Sequence, residues 1–327
     1  MSTTPRPLAP DDALAAHVLQ GLRSTPKALS SAWLYDDEGS RLFERIMALP
    51  EYYLTRAEHR VLERDGDALA AALSPSGRPV ELVELGSGNG AKTLLLCEAL
   101  ERRDVDWLYR PIDLSGGALD ALLARFARAM PHARVQPLPG DFLQRWPERE
   151  RGRRRVAMLM GSSLGNLARD EAVALLRALR TRLETGDALV LGLDLQKDPR
   201  VVLAAYDDAQ GVTARFNLNL LARLNRELAM DFDLDAFAHY PTYSPLDGAA
   251  LSFLVSTRRQ TVRSERLGCA FSFDEGETIF MERSQKYGPA LIEDLSRASG
   301  FVPWRRFVDE RDRYAVEVWH ADTAAAG

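Results

Sequence analysis

Cysteine is nearly absent from this 327-residue chain: Cys97 and Cys269 are the only two, and neither sits in a CxxC or similar ligand spacing. A disulfide framework is therefore not expected, nor is a metal site; a reducing, cytoplasmic compartment is. Long apolar runs are missing too. The opening residues Met1-Ser2-Thr3-Thr4-Pro5 begin no such run, so neither a signal peptide nor a membrane span is expected. Positive charge is not in excess, since 42 Lys and Arg face 47 Asp and Glu for a formal charge of −5. That balance argues against non-specific binding to nucleic acid or to an anionic membrane. The one basic concentration, Arg145-Trp146-Pro147-Glu148-Arg149-Glu150-Arg151-Gly152-Arg153-Arg154-Arg155, is interleaved with acid and lies between two apolar segments. It reads as a solvated loop rather than an RNA site. There is no internal repeat and no low-complexity tract. What is present is enough apolar material, 46%, for a large core, over a length that suggests two domains.

The chain is organised around Val80-Glu81-Leu82-Val83-Glu84-Leu85-Gly86-Ser87-Gly88-Asn89-Gly90-Ala91-Lys92-Thr93. A mostly apolar run of strand length breaks into three glycines and resumes as a helix. Glycine lets backbone approach a ligand closely, and a helix start offers unpaired N–H groups. Gly86-Ser87-Gly88-Asn89-Gly90-Ala91 fits the dinucleotide fingerprint G-x-G-x-x-A. The same geometry serves S-adenosylmethionine in class I methyltransferases, and a tight structural turn is the third reading.

Before this stretch the chain reads as a disordered tail over 1–10 and helices over 11–22, 41–49 and 57–73, with a turn at 34–40. From residue 80 onward, strands over 80–85, 107–113, 133–138, 156–161 and 188–193 alternate with helices over 91–102, 116–130 and 169–183. Such alternation implies a parallel, doubly wound sheet, whose ligands sit at the carboxyl ends of the strands. Gly86, Asp113, Asp141 and Gly161 all fall at or just past such ends. After residue 195 the rhythm changes: helices over 199–206 and 212–228, strands over 250–255 and 260–262, a helix over 288–300 and a last strand over 314–320.

Asp113 can accept both hydroxyls of a ribose, or it can cap the next helix, a role for which Ser115 competes. Asp141 beside Phe142 suits adenine, with the carboxylate taking the amino group and the ring packing on the purine; a cap with a core phenylalanine is the plainer alternative. Their recurrence at successive strand ends favours adenosine. Asn166, after the fourth strand, carries an amide suited to the carboxylate and amine of an amino acid, or it is a turn asparagine.

In order along the chain stand Leu34-Tyr35-Asp36, Leu49-Pro50-Glu51-Tyr52-Tyr53-Leu54-Thr55-Arg56-Ala57-Glu58, the glycine turn with Lys92-Thr93, Gly161-Ser162-Ser163-Leu164-Gly165-Asn166, and Glu282-Arg283-Ser284. With these the chain resembles the histidine-specific S-adenosylmethionine-dependent methyltransferases from about residue 24 to residue 320. The resemblance implies a Rossmann-like class I methyltransferase sheet (α/β, doubly wound) with a second, mixed α+β substrate domain. It implies a cofactor-binding core over 61–195 and 287–327, and a substrate-binding domain over 11–60 and 196–286. By position it gives Gly86, Lys92, Asp113, Asp141 and Phe142 to S-adenosyl-L-methionine, and Tyr52, Asn166, Tyr206, Glu282 and Ser284 to the amino acid. Glu282 and Ser284 would bracket an imidazole, and their i, i+2 spacing on a strand puts both side chains on one face. Tyr35 is placed near the same site and is the one candidate catalytic group. The family usually has a methionine where Phe253 falls, so a bulkier ring is expected beside the imidazole pocket. The expected product is the trimethylated betaine of L-histidine. Other expectations are a monomer, a small-molecule substrate, and no nucleic-acid or membrane partner. An Nα-methyltransferase of another amino acid or amine, an NAD-dependent dehydrogenase and a non-catalytic adenosine-binding module are the alternatives.

Overall fold

The computed structural model describes residues 10–311 and 313–321. Of the tail expected over 1–10, residues 1–9 lie outside the described residues, and Pro10 instead opens the first helix. In chain order the elements are α1 (Pro10–Arg23), β1 (Lys27–Ala28), α2 (Asp37–Ala48), α3 (Leu54–Leu73), β2 (Val80–Leu85), α4 (Ala91–Arg102), β3 (Trp107–Asp113), α5 (Gly116–Ala129) and β4 (Leu138–Pro139). Then follow β5 (Arg154–Leu159), α6 (Arg169–Arg180), β6 (Ala188–Asp194), α7 (Pro199–Tyr206), α8 (Val212–Leu228), β7 (Phe237–Ser244) and β8 (Ala249–Ser256). The chain closes with β9 (Gln260–Ser264), β10 (Cys269–Phe273), β11 (Thr278–Gln285), α9 (Pro289–Ser299), β12 (Val302–Val308) and β13 (Tyr314–His320).

The described residues fall into two compact units, one up to Tyr53 together with Asp198–Ser284 and the other Leu54–Lys197 together with the chain from Gln285 onward. The boundary expected at 60/61 falls inside α3, whose buried stripe Leu54, Ala57, Val61 and Leu62 belongs wholly to the second unit. A helix with one continuous apolar face is not divided between two cores.

The second unit carries a seven-stranded sheet in the order β12-β13-β6-β5-β2-β3-β4. Strands β6, β5, β2, β3 and β4 run parallel, and β13 joins β6 antiparallel, followed by β12. All six residues of β2 are buried, as a central parallel strand requires. The order reverses between β2 and β5, so the crevice above their carboxyl ends is the ligand position of an open α/β sheet. On one face, Val83, Ala157, Leu189 and Leu191 pack against Leu176 and Leu179 of α6 and Ile292 and Leu295 of α9. On the other, Glu84 of β2 meets Thr93 of α4, and Tyr109 of β3 stacks on Phe126 of α5.

The third expected strand is largely absent. Over 133–138 a single bridge, Val135 to Tyr109, precedes the two-residue β4, because Pro139 and Gly140 stop the ladder at this sheet edge. The basic run is not a solvated loop throughout. Arg153, Arg154 and Arg155 are buried, and the last two begin β5. Arg155 pairs at 2.8 Å with the fully buried Glu81, and Arg154 donates to the carbonyls of Ala72 and Leu73 at the end of α3. Charge this far inside is tolerated because each ion is paired or hydrogen-bonded.

The first unit is a four-stranded sheet, β1-β11-β8-β7, with the β9–β10 hairpin beside it. Its core joins Leu14, Val18 and Leu22 of α1 to Phe216, Leu220 and Leu224 of α8 and to Ile279 and Met281 of β11. The expected turn at 34–40 is in part α2, which starts at Asp37 because Asp36 caps it, accepting from the Gly39 amide at 2.8 Å. Asp36 also takes Asn219 and Arg226 of α8, at 2.7 and 2.6 Å.

Candidate active site

In the second unit the three glycines of the turn all have positive φ, +70° at Gly86, +54° at Gly88 and +67° at Gly90. They differ in what a side chain would meet. A Cβ on Gly90 would lie 2.6 Å from Leu122, whereas a Cβ on Gly86 or Gly88 would meet no protein atom within 4 Å. Gly90 is thus glycine for helix packing. The other two keep backbone unobstructed on the crevice side.

Asp113 ends β3 and reaches back to the turn: one carboxylate oxygen accepts from the Gly88 amide at 2.8 Å, the other from the Ser115 amide at 2.9 Å. The competing cap resolves in favour of Ser115, whose hydroxyl accepts from Ala118 at the start of α5. Each oxygen of Asp113 retains a further lone pair for a hydroxyl donor. The Gly140 amide donates to the Asp113 carbonyl at 2.9 Å, which sets Asp141 and Phe142 beside the same strand end. Asp141 holds its own turn, accepting from the Leu143 amide at 2.8 Å, and Phe142 packs against the core. Lys92, in the first turn of α4, pairs with Glu58, and its Nζ is 3.1 Å from where a Cβ on Gly161 would stand. Asn166 is exposed at the end of a short 3-10 turn, Ser163–Asn166.

Under the turn lies Glu84, 2% exposed, accepting from Thr93 at 2.6 Å and from the Tyr109 hydroxyl. Burial, only partly offset by those two bonds, raises its pKa to about 7.

In the first unit, β11 alternates as a half-buried strand must: Ile279 and Met281 enter the core, and Phe280, Glu282 and Ser284 share the opposite face. Phe253 of β8 packs on Phe280 edge to face, with ring centroids 5.7 Å apart. Tyr206, at the end of α7, donates its hydroxyl to Ser284 Oγ at 2.7 Å. The Tyr206 carbonyl accepts from His239 Nε2 at 3.0 Å, which assigns the ring proton to that nitrogen. Burial lowers the His239 pKa and keeps the ring neutral. Tyr35 and Tyr52 complete the group around Phe43 and Phe216. Tyr35 as a residue is 43% exposed, but its hydroxyl end is desolvated. That desolvation, then the charge of Glu282, then the neighbouring Tyr52 and Tyr206 raise its pKa well above the usual phenol value. Tyr35 is therefore a neutral hydrogen-bond donor at physiological pH.

The structure thus gathers Gly86, Lys92, Asp113, Asp141 and Phe142 around the strand ends of one unit, with Asn166 on a turn of that unit. Tyr35, Tyr52, Tyr206, Glu282 and Ser284 lie in the other. Sequence reasoning missed His239, which lies in β7, a strand not expected from the sequence, and Glu84, hidden among the apolar residues of β2. Among the described residues no cluster of His, Cys, Asp or Glu could hold a metal, and no helix is long and apolar enough to cross a membrane.

Residues 14–321 match the family of histidine-specific, S-adenosylmethionine-dependent methyltransferases. The chain is 38% identical to histidine N-alpha-methyltransferase of Mycobacterium tuberculosis over 94% of each chain. It is also 38% identical to the protein of that name from Mycolicibacterium smegmatis over 88% of each. A 4-dimethylallyltryptophan N-methyltransferase of Claviceps purpurea is 31% identical over 60% of this chain and 59% of its own. The match spans both units and nearly every residue singled out above, and the chain belongs to the histidine-specific, S-adenosylmethionine-dependent methyltransferase family.

Proposed function

We propose that this enzyme methylates the α-amine of L-histidine until it becomes Nα,Nα,Nα-trimethyl-L-histidine, hercynine, the first step of ergothioneine biosynthesis. The supporting observation is the polar face of β11. A neutral imidazole presents one N–H donor and one lone pair. Glu282 can accept the first. Ser284, whose oxygen accepts from Tyr206, carries a hydroxyl that can donate to the second. An acceptor and a donor two residues apart on one strand face match that ring better than they match an indole or a phenol. Asn166 and Tyr206 are assigned by family position to the carboxylate and amine.

S-adenosylmethionine supplies a methyl group on a sulfonium centre. The residues of the glycine turn fit it: Gly86 and Gly88 keep open the space a Cβ would fill, Asp113 has lone pairs for the ribose hydroxyls, and Lys92 is a cation for the cofactor's only anionic group, its carboxylate. Methyl transfer to a neutral amine shifts positive charge from sulfur to nitrogen and builds up little new charge, so positioning supplies most of the acceleration. Tyr35, held protonated, orients rather than deprotonates, and water takes the amine proton. Reaction stops when the nitrogen has no lone pair.

Titration calorimetry tests this. Glu282→Ala is expected to weaken histidine binding at least tenfold, with S-adenosylhomocysteine affinity within twofold of wild type. Unchanged histidine affinity would overturn the assignment. A second reading, Nα-methylation of a different amino acid, is favoured by one observation, the Phe253 ring of β8 packed on Phe280, on the β11 face that also carries Glu282. A panel of amino acids with mass detection separates the two.

A further inference from the structure

One buried carboxylate of the second unit touches neither proposed ligand directly. Glu58 lies in the first turns of α3 on the same stripe as Leu54, Ala57 and Val61, so the helix carries it inward to 1% exposure. An unbonded carboxylate at such a depth is strongly unfavourable. Three donors, from α4, from β13 and from the loop after β5, answer it. Oε1 accepts from the Gly161 amide at 2.8 Å and from the Tyr314 hydroxyl at 2.7 Å, and Oε2 pairs with the Lys92 ammonium. The chain leaves no room for anything else: a Cβ on Gly192 of β6 would stand 2.3 Å from Glu58 Oε1 and 2.4 Å from the Tyr314 oxygen.

We propose that Glu58 is a positioning residue for the cofactor: it fixes the Lys92 ammonium that meets the cofactor carboxylate, and by the same side chain it pins the turn that leads to Asn166. The inference rests on the assignment of Lys92 to S-adenosylmethionine. A lysine ammonium at the end of a four-carbon stem is normally mobile and loses that freedom on binding. Glu58 removes the freedom beforehand, which lowers the ordering cost of the ligand. Because Oε1 already serves two other donors, its charge is shared, and Lys92 is held without being fully neutralised. Two of the three ammonium protons remain for a ligand.

The test is a double-mutant cycle on the full chain, read by calorimetry with S-adenosylhomocysteine. In Glu58→Gln the amide oxygen keeps the Gly161 and Tyr314 bonds, and the NH2 group is left facing Lys92, so that link alone is broken. Glu58→Gln is expected to weaken binding about tenfold, and Lys92→Met at least as much. The double variant should bind no worse than Lys92→Met, within twofold, and the KM for histidine at saturating cofactor should stay within twofold in Glu58→Gln. Wild-type affinity in Glu58→Gln, or a double variant that multiplies the two losses, overturns the proposal. If Lys92→Met itself binds normally, it is the cofactor assignment of Lys92 that fails. Should the Gln variant not fold, Glu58→Asp keeps the charge but withdraws it by one methylene; reduced affinity supports the proposal and wild-type affinity overturns it.

Discussion

Gly86 and Gly90 belong to one turn, share left-handed φ values of +70° and +67°, and should respond to the same substitution in opposite ways. Alanine at either position must adopt a conformation that costs an L-residue about 1–2 kcal/mol. At Gly90 the added methyl would also stand 2.6 and 2.9 Å from two carbons of Leu122 and 3.2 Å from Phe126. Overpacking of that kind costs a further ~1–3 kcal/mol, for a total of about 2–5 kcal/mol. At Gly86 nothing lies within 4 Å, so the conformational cost stands alone. Thermal unfolding should therefore show a drop of several degrees for Gly90→Ala and a markedly smaller one for Gly86→Ala, on the order of 2 °C per kcal/mol. Binding should rank the other way. The methyl of Gly86→Ala projects where the cofactor backbone contact is proposed, and S-adenosylhomocysteine affinity should fall at least tenfold, about 1.4 kcal/mol. Calorimetry below the unfolding temperature separates the two effects. Full affinity in Gly86→Ala would refute the idea that the ligand rests on this turn, and wild-type stability in Gly90→Ala would refute the packing argument.

Glu84 predicts a pH effect with a definite sign. Its folded pKa of about 7 is above the ordinary carboxyl value of 4.5, so the stability it confers is fully present below pH ~4.5 and is lost as pH rises through about 7. The difference amounts to about 3 kcal/mol. Glu84→Gln should gain on wild type between pH 5 and pH 8 in urea unfolding, and parallel pH profiles would contradict the assignment. Phe253→Ala removes the β8 ring that packs on Phe280, on the face of β11 that carries Glu282. It should raise the KM for histidine about three- to tenfold and improve relative kcat/KM for bulkier amino acids, with S-adenosylhomocysteine affinity unchanged. Identical selectivity in a substrate panel would place Phe253 outside the pocket.

The central strands and the glycine turn were legible in the sequence for a physical reason. A buried parallel strand needs a continuous apolar run, and the turn after it needs glycine, so β2 and α4 stand where the pattern set them. Strand β12 could not be read: five of its seven residues are exposed at the sheet edge, with Pro303, Trp304, Arg305 and Arg306 in succession, and exposure removes the alternation that marks a strand. The arginines of 153–155 read as solvated because their partners, Glu81, Asp106 and the end of α3, are distant in sequence. The i, i+2 spacing of Glu282 and Ser284 did give the shared face, since it depends only on the strand repeat. Glu58 was visible as a letter in a motif, yet its role was not. A glutamate in a helix ordinarily faces water, and its partner Tyr314 is 256 residues away.

The proposed reaction is a transfer of methyl groups to the α-nitrogen of histidine. Purified protein incubated with S-adenosylmethionine and L-histidine, followed by tandem mass spectrometry, tests it most directly. Successive gains of one methyl are expected, ending at three, all on the fragment that carries the α-nitrogen. Methyl groups on the imidazole ring, or no methylated histidine while another amino acid is consumed, would contradict it.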